Sequence, residues 1–368
     1  MKDFQDVFSS SGGVFVIAEV GTSHQGDKGL VRKLIAAAAD AGADCVKFQV
    51  VFADEIIHPL TGDVPLPGGK VRLYDRFKEL ERDEAFYAFC REETEKVGLV
   101  FLASPFGVKS AQLLRRIGAA WFKVASPELN HFPLLLELAS YQRPLVLSSG
   151  VSHLADIEAA LAILPGQNAL LHCVTAYPAP PEDYNLKVLQ PLSVLFGCPV
   201  GVSDHSMDPE LVPGVAAAVG ARLIEKHLCL DRSDPGLDDP IALDPVLFRK
   251  MIKTVREVQQ VPVSERLTWA GERFGERTQA VLGSGKKLLA DSEKANYERT
   301  NRSLHVLRAL NAGHVLTAED VAVLRTEKIL RPGLPPQFLN LVLGRTLQRA
   351  VADGEGLVWD DLLPAVKL

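Results

Sequence analysis

Two histidines and two lysines stand at or near the ends of short apolar runs. His205 follows VGVSD and His227 closes LIEKH, while Lys47 and Lys123 sit inside CVKFQ and WFKVA. Two imidazoles on neighbouring strand ends could meet around one divalent metal, with water filling the other positions. An ammonium among apolar neighbours is costly to bury alone, so Lys47 and Lys123 are expected to face an anion, with phosphate and carboxylate the natural candidates. Side chains alternate faces along a strand, so Lys47 shares a face with Gln49, Ser203 with His205, and Glu225 with His227. Ser104, Ser126, Ser148, Ser149, Gly150, Thr175 and Ser203 could complete an anion cradle, although serines at loop starts are usually turn formers. Glu19, Glu128, Asp204 and Glu225 could each serve as base, metal neighbour or lysine partner, and a structural ion pair is the plain alternative. Spacing does not choose between these roles.

The elements that must position these groups repeat. Short runs rich in Val, Leu, Ile or Phe predict strands at 14–19, 45–49, 100–104, 121–125, 145–149, 169–174, 200–204 and 223–228. Such near-continuous apolar runs suit strands covered on both faces. Helical spacing predicts crossovers at 30–41, 84–97, 109–117, 134–140, 154–164, 186–196, 210–219 and 245–260, punctuated by Gly42, Gly98, Gly118, Pro144, Pro165 and Gly220. Eight strand–helix units predict an α/β fold of the TIM (β/α)8 type, whose sites lie at the carboxyl ends of the strands. An open doubly wound sheet is the alternative, but no glycine fingerprint follows the first strand.

The pattern stops near Gln260. Residues 1–262 therefore read as the barrel, 263–300 as a connector with short helical pieces, and 301–368 as a small β-rich domain. The GSGKK run at 283–287 lacks the earlier glycine and the following hydroxyl of a phosphate loop and is set aside.

Composition narrows the function classes. At 368 residues, with 47% hydrophobic and 23% charged residues and a net charge of −6, the chain carries no field built for nucleic acid. The opening lacks the layout of a secretion signal and no apolar run is long enough for a membrane span, so a cytoplasmic address is expected. Cys45, Cys90, Cys173, Cys198 and Cys229 are scattered and odd in number, which suits buried thiols better than a disulfide framework or zinc knuckle.

Several ordered motifs resemble the sialic acid synthase family, whose members condense phosphoenolpyruvate with an N-acetylhexosamine to make nonulosonic acids. They are AEVGTSHQGD (18–27), AGADCVKFQ (41–49), KVASPEL (123–129), LSSG (147–150), GVSDHS (201–206), IEKHLCLDR (224–232) and SEKANYERTNRSL (292–304). The tail is similar to that family's antifreeze-like domain (SAF, a β-clip). The resemblance implies that His205 and His227 bind a divalent metal, manganese first, with magnesium or cobalt as alternatives. It implies that Lys47, Lys123, Ser126, Ser148 and Ser203 hold phosphoenolpyruvate, and that Glu19 and Glu128 act near the reacting carbons. Gln49 and Thr175 join the substrate-binding set, Tyr177 and Asp238 lie near the acceptor sugar, and Arg302 reaches its N-acyl group across a domain-swapped homodimer.

Departures from the family pattern cluster around the acceptor. Ser23 stands where asparagine is usual, Val174–Thr175 where Thr-Asn is usual, and Asp239 and Ala242 where histidine and serine are usual. RTEKILRPGLPP (325–336) displaces the usual arginine-proline-glycine segment. N-acetylmannosamine, a 6-phosphorylated form and the diamino sugars leading to legionaminic or pseudaminic acid all stay open as acceptors, and surface or spore-coat polysaccharide synthesis is a matching context. The other readings are a barrel that binds a glycan precursor without turnover and a metal-dependent pyruvate aldolase. Retention of Glu19, Lys47, Lys123, His205 and His227 argues against the first, and the two lysines against the second.

Overall fold

The structure is a computed structural model that describes residues 4–8, 13–66, 69–164, 166–327 and 329–362. Eight strands form one parallel sheet: β1 Phe15–Gly21, β2 Cys45–Val50, β3 Val100–Pro105, β4 Phe122–Val124, β5 Leu145–Ser148, β6 Asn168–Cys173, β7 Val200–Asp204 and β8 Leu223–His227. Their order is β3-β2-β1-β8-β7-β6-β5-β4, and β3 lies against β4, which closes the sheet into a TIM barrel. Every expected strand is present within two residues of its expected bounds.

A short helix, α1 (Phe4–Val7), precedes the barrel. The next is α2 (Lys28–Ala41), where Asp27 accepts a hydrogen bond from the Leu30 amide at 2.8 Å and Gly42 ends the helix at φ 92°. The crossovers expected at 84–97, 109–117, 134–140, 154–164, 210–219 and 245–260 are likewise present within two residues of their bounds. The one expected at 186–196 starts as a 3-10 turn, Leu186–Val188, before becoming helical at Leu189–Phe196. The loop after β2 holds what periodicity did not show. A hairpin, Asp63–Leu66 with Gly69–Arg72, leads into a helix, Leu73–Leu80, whose Leu73 and Phe77 pack with Val51, Ile56, Ile57, Val64 and Phe106.

The barrel lumen explains why one strand face carries both core and chemistry. Ile17, Cys45, Leu102, Val146, Leu171 and Leu223 fill its lower layer, and Phe4 of α1 closes that end against Trp121 with ring centroids 4.9 Å apart. One period further along the same faces come Glu19, Lys47, Ser104, Ser148, Cys173 and Glu225. The lumen is therefore apolar at its amino end and polar at its carboxyl end. Gly201 faces inward as well, and a Cβ there would lie 1.8 Å from the Leu223 carbonyl oxygen, so only glycine fits beside β8.

After the barrel, helices Arg266–Phe274 and Arg277–Leu282 pack against Leu211–Ala218. The tail pairs β9 (Arg302–Val306) antiparallel with β10 (Val321–Arg325) over its own core of Leu304, Val306, Leu316, Leu347, Val351 and Leu357. It sits over the mouth of the barrel. The Arg325 amide donates to the Ile56 carbonyl at 2.9 Å, and Asn130 exchanges two hydrogen bonds with the Arg302 main chain at 2.9 and 3.0 Å.

Candidate active site

The carboxyl ends of the strands surround a cavity of about 410 Å³. Fourteen of the candidate site residues singled out from sequence line it: Glu19, Lys47, Gln49, Ser104, Lys123, Ser126, Ser148, Thr175, Tyr177, Ser203, His205, Glu225, His227 and Asp238. Sheet register puts Glu19 level with Lys47 on one side and His227 on the other, and Ser203 level with Glu225.

The floor is a charge network. Lys47 Nζ lies 3.2 Å from Glu19 Oε2 and 3.0 Å from Glu225 Oε1. Glu19 Oε1 accepts from Gln49 Nε2 at 2.7 Å, and Glu225 Oε1 accepts from Ser203 Oγ at 2.9 Å. Burial alone would discharge Lys47, but the two carboxylates outweigh it and hold its pKa above the ordinary lysine value. Glu225 is likewise buried, yet Lys123 and Lys47 bring it down to about 2. Burial dominates at Glu19, raising it to about 7 despite Lys47. Lys123 donates to the Val124 carbonyl at 2.9 Å and to Ser148 Oγ at 2.7 Å, neither of them charged. Burial, aided by Lys47, lowers it to about 8 against the pull of Glu225.

Hydrogen-bonding capacity is left over for a ligand, from hydroxyls that can donate and from a carboxylate oxygen that can only accept. Ser104 Oγ, Thr175 Oγ1 and Glu225 Oε2 are buried without a hydrogen-bond partner. Ser126 Oγ accepts from the Gly150 amide at 3.0 Å and hydrogen-bonds the Cys173 sulfur, from which an anion in the cradle would draw its proton. A Cβ at Gly150 would lie 2.1 Å from Thr175 Oγ1 and 2.9 Å from Ser126 Oγ, which makes this a cradle that side-chain carbon would fill.

The two imidazoles meet at the mouth, with ring centroids 5.5 Å apart. His205 Nδ1 lies 2.9 Å from the Val174 carbonyl, which fixes a proton there, and its Nε2 lies 3.3 Å from the Tyr177 hydroxyl on the cavity side. Burial lowers the pKa of His227, with the charge of His205 adding to it, so its ring is neutral. Asp238 Oδ2 is 3.9 Å from His227 Nδ1, and Tyr177 stacks on His205 at 4.2 Å between centroids. Burial works against charge on His205, but Cys173 outweighs it and raises its pKa, so His205 would give up its Nε2 proton for the two rings to hold a divalent ion together. Among the described residues no three His, Cys, Asp or Glu side chains converge at ligand spacing, so water or substrate would complete the coordination shell.

Two residues expected at the site lie outside it. Glu128 is fully buried, and its oxygens are taken by Arg302 and by Arg325 Nη2, the latter at 2.6 Å. It is a domain anchor rather than a reacting group. Arg302 is also fully buried. Besides Glu128 it donates to the carbonyls of Glu55 at 2.6 Å, Ile56 at 3.0 Å and Phe106 at 2.7 Å, so it clamps tail to barrel and contributes nothing to the cavity lining. Its register partner on the hairpin, Arg325, is the arginine that faces the cavity, with Glu327 beside it. Arg325 belongs to the segment that departs from the family pattern, and that departure was the available signal. Asp204 points out of the barrel into a buried ion pair with Lys226 at 2.6 Å. Two other departures touch: Ser23 Oγ donates to Asp239 Oδ1, and Asp239 Oδ2 accepts from the Gly236 amide at 2.8 Å. Val51, Ile56, Leu73, Phe77, Phe106 and Leu237 form an apolar stretch of the wall, and Asn296 and Thr300 add polar groups from the connector.

Comparison with known proteins places this geometry. The NeuB family model matches residues 34–265 and the SAF domain model residues 301–363. The spore coat polysaccharide biosynthesis protein SpsE of Bacillus subtilis is 34% identical over 95% of this chain and 94% of its own length. Its crystal structure superposes with a TM-score of 0.81 over 97% of each chain. The N,N'-diacetyllegionaminic acid synthase of Legionella pneumophila is 30% identical over 95% of this chain and 94% of its own. The N-acetylneuraminic acid synthetase structure from Leptospira borgpetersenii matches with a TM-score of 0.61 and 30% identity, over 78% of this chain and 91% of that one.

Proposed function

Because the chain belongs to the NeuB family, we propose that it condenses phosphoenolpyruvate with an N-acylated hexosamine, releasing phosphate and a nonulosonic acid for surface or spore-coat polysaccharide synthesis in the cytoplasm. The observation that carries this reading is the convergence of Lys47, Lys123, His205 and His227 on one cavity together with Glu19 and Glu225. The atoms balance as phosphoenolpyruvate plus open-chain sugar plus water giving nonulosonate plus phosphate. The new bond joins C3 of the enol to the aldehyde carbon, water adds at C2, and phosphate leaves.

Each residue has a share in these steps. Lys47, Lys123 and the hydroxyls of Ser126, Ser148 and Thr175 hold the phosphate and carboxylate, and the two ammonium groups steady the charge as phosphate departs. Glu19, kept near neutrality by burial and oriented by Gln49, takes the proton of the attacking water. Glu225 keeps Lys47 charged and orients Ser203. A divalent ion held by His205 and His227, manganese in the first instance, supplies Lewis acidity to the sugar aldehyde. Tyr177 and Asp238 border that position, and the apolar wall suits the acyl carbons of the acceptor.

The test is a panel of N-acylhexosamines given with phosphoenolpyruvate and manganese, following phosphate release and product mass. Phosphate release with no sugar of the panel, or a product mass other than sugar plus pyruvate, would overturn the reading. We also propose the domain-swapped homodimer that the resemblance implies, with the contacts of Arg302 and Arg325 to Glu128 as the joint between tail and barrel. Sedimentation at micromolar concentration tests it, and a monomer refutes it.

A further inference from the structure

The connector between barrel and tail runs behind the anion cradle and grips two of its loops. Glu293, 1% exposed, accepts with one oxygen from the amides of both Val151, at 3.0 Å, and Thr175, at 2.9 Å. Its other oxygen accepts from the Ala290 amide at 3.2 Å. The carbonyls of the same two residues are held from the same segment: Asn301 donates to Val151 at 3.0 Å and Asn296 to Thr175 at 3.0 Å. Lys287 adds a hydrogen bond to the Ser149 carbonyl at 3.0 Å.

These two loops are the ones the cradle is made of. The Val151 loop carries Ser148 and Gly150, and the Thr175 loop follows Cys173. Val151 has φ 42°, a left-handed conformation that a β-branched residue holds only when its surroundings fix it. Its amide and carbonyl are both fixed by the connector. Thr175 Oγ1 and the Gly150 backbone approach so closely that a single Cβ would not fit, so a small drift of either loop opens or blocks the cradle.

We propose that Glu293 is a positioning residue for phosphoenolpyruvate: its carboxylate ties the β5 and β6 loops together and sets the spacing of Ser148, Gly150 and Thr175. This rests on the reading of the cradle as the phosphoenolpyruvate site. Glu293 touches no substrate and does not line the cavity. A shared carboxylate oxygen suits the task because one acceptor fixes two donors at a common point, and a buried amide left without its acceptor must find water or move.

The test compares Glu293→Ala, Glu293→Gln and Asn301→Ala in the full-length protein. Glu293→Ala should raise the KM for phosphoenolpyruvate at least about ten-fold while moving the sugar KM less than about three-fold, the ten-fold being what one unsatisfied buried amide costs. Glu293→Gln keeps an acceptor oxygen and should restore most of the affinity. Hydrogen exchange should speed up at the Val151 and Thr175 amides in Glu293→Ala, a readout that needs no turnover. If Glu293→Ala does not fold, Asn301→Ala, which leaves both carboxylate contacts in place and releases the Val151 carbonyl together with the Glu298 amide, should raise the same KM in the same direction. An unchanged phosphoenolpyruvate KM, an equal rise for both substrates, or a glutamine variant as impaired as the alanine one would overturn the proposal. Wild-type protein that fails to bind phosphoenolpyruvate would instead overturn the reading of the site, with the exchange data still testing the clamp.

Discussion

Phosphoenolpyruvate should bind less tightly as pH rises past about 8, because Lys123 must be charged to hold it. Lys123 is 1% exposed, its hydrogen-bond partners are uncharged, and burial is the main cause that brings its pKa down to about 8. A bound phosphate or carboxylate favours the ammonium, so anion and proton bind together. If only the ammonium form binds, the dissociation constant roughly doubles at pH 8 and rises about eleven-fold by pH 9, close to 1.4 kcal/mol. Above about pH 8 the ligand phosphate is fully ionised, and Glu19, with a pKa raised to about 7, has also largely titrated. Lys47 is held charged by its two carboxylates. Cys173 lines the same cavity with a thiol that burial would raise but His205 brings below its ordinary value, so the protein titrated carries Cys173→Ala and a window from about pH 8 to 9.5 reports Lys123. Calorimetric titration of phosphoenolpyruvate without sugar, in two buffers of different ionisation enthalpy, measures both affinity and proton uptake. Lys123→Met should lose the pH slope along with most of the affinity. The stability effect has the opposite sign. A lysine whose folded pKa is depressed is neutral in both states above its unfolded value and costs stability that grows as pH falls from there to about 8 and is constant below, so Lys123→Met should stabilise the ligand-free fold at neutral pH by on the order of 3 kcal/mol. A flat affinity across the window, or a slope that survives in Lys123→Met, refutes this reasoning.

The remaining predictions concern the base, the metal and the cradle. Glu19→Gln should lower kcat by at least about a hundred-fold and abolish the fall in kcat/KM below about pH 7, with calorimetric phosphoenolpyruvate affinity within a few-fold of wild type. Chelation of divalent ions should stop phosphate release and manganese should restart it. His205→Ala should stay inactive with manganese, magnesium or cobalt while keeping phosphoenolpyruvate binding. Gly150→Ala puts a carbon 2.1 Å from Thr175 Oγ1, so the KM for phosphoenolpyruvate should rise at least about ten-fold, with a melting temperature lower by a few degrees in calorimetry.

The barrel was legible because its signals are local. Eight apolar runs of strand length, separated by helical periodicity and closed by glycine or proline, admit few arrangements, and the observed strands start and end within two residues of the expected ones. The hairpin and helix between 63 and 80 escaped because their apolar residues, Val64, Leu73 and Phe77, face one another and the cavity wall rather than a regular crossover surface. Lys47, Lys123, His205 and His227 were legible for a related reason: a charged or titratable residue at the inward period of an apolar strand has nowhere to go but the barrel mouth.

Glu128 and Arg302 show where local pattern stops informing. Each is a charged residue at a strand end with a role in the resembled family, and nothing in its neighbourhood in the sequence tells a reacting group from an anchor. The decision came from contacts between residues 174 positions apart, when the tail settled on the barrel and the two charges neutralised each other away from water. Arg325 reached the cavity in the same event, through its register opposite Arg302. The grip of Glu293 on Val151 and Thr175 likewise joins residues more than a hundred positions apart. Sequence alone thus determined the barrel, its polar end and the ionisable groups there, because strand alternation is a property of consecutive residues. Which of those groups stay free for chemistry was decided only by tertiary packing, because burial and charge neutralisation depend on what the chain brings back from far away.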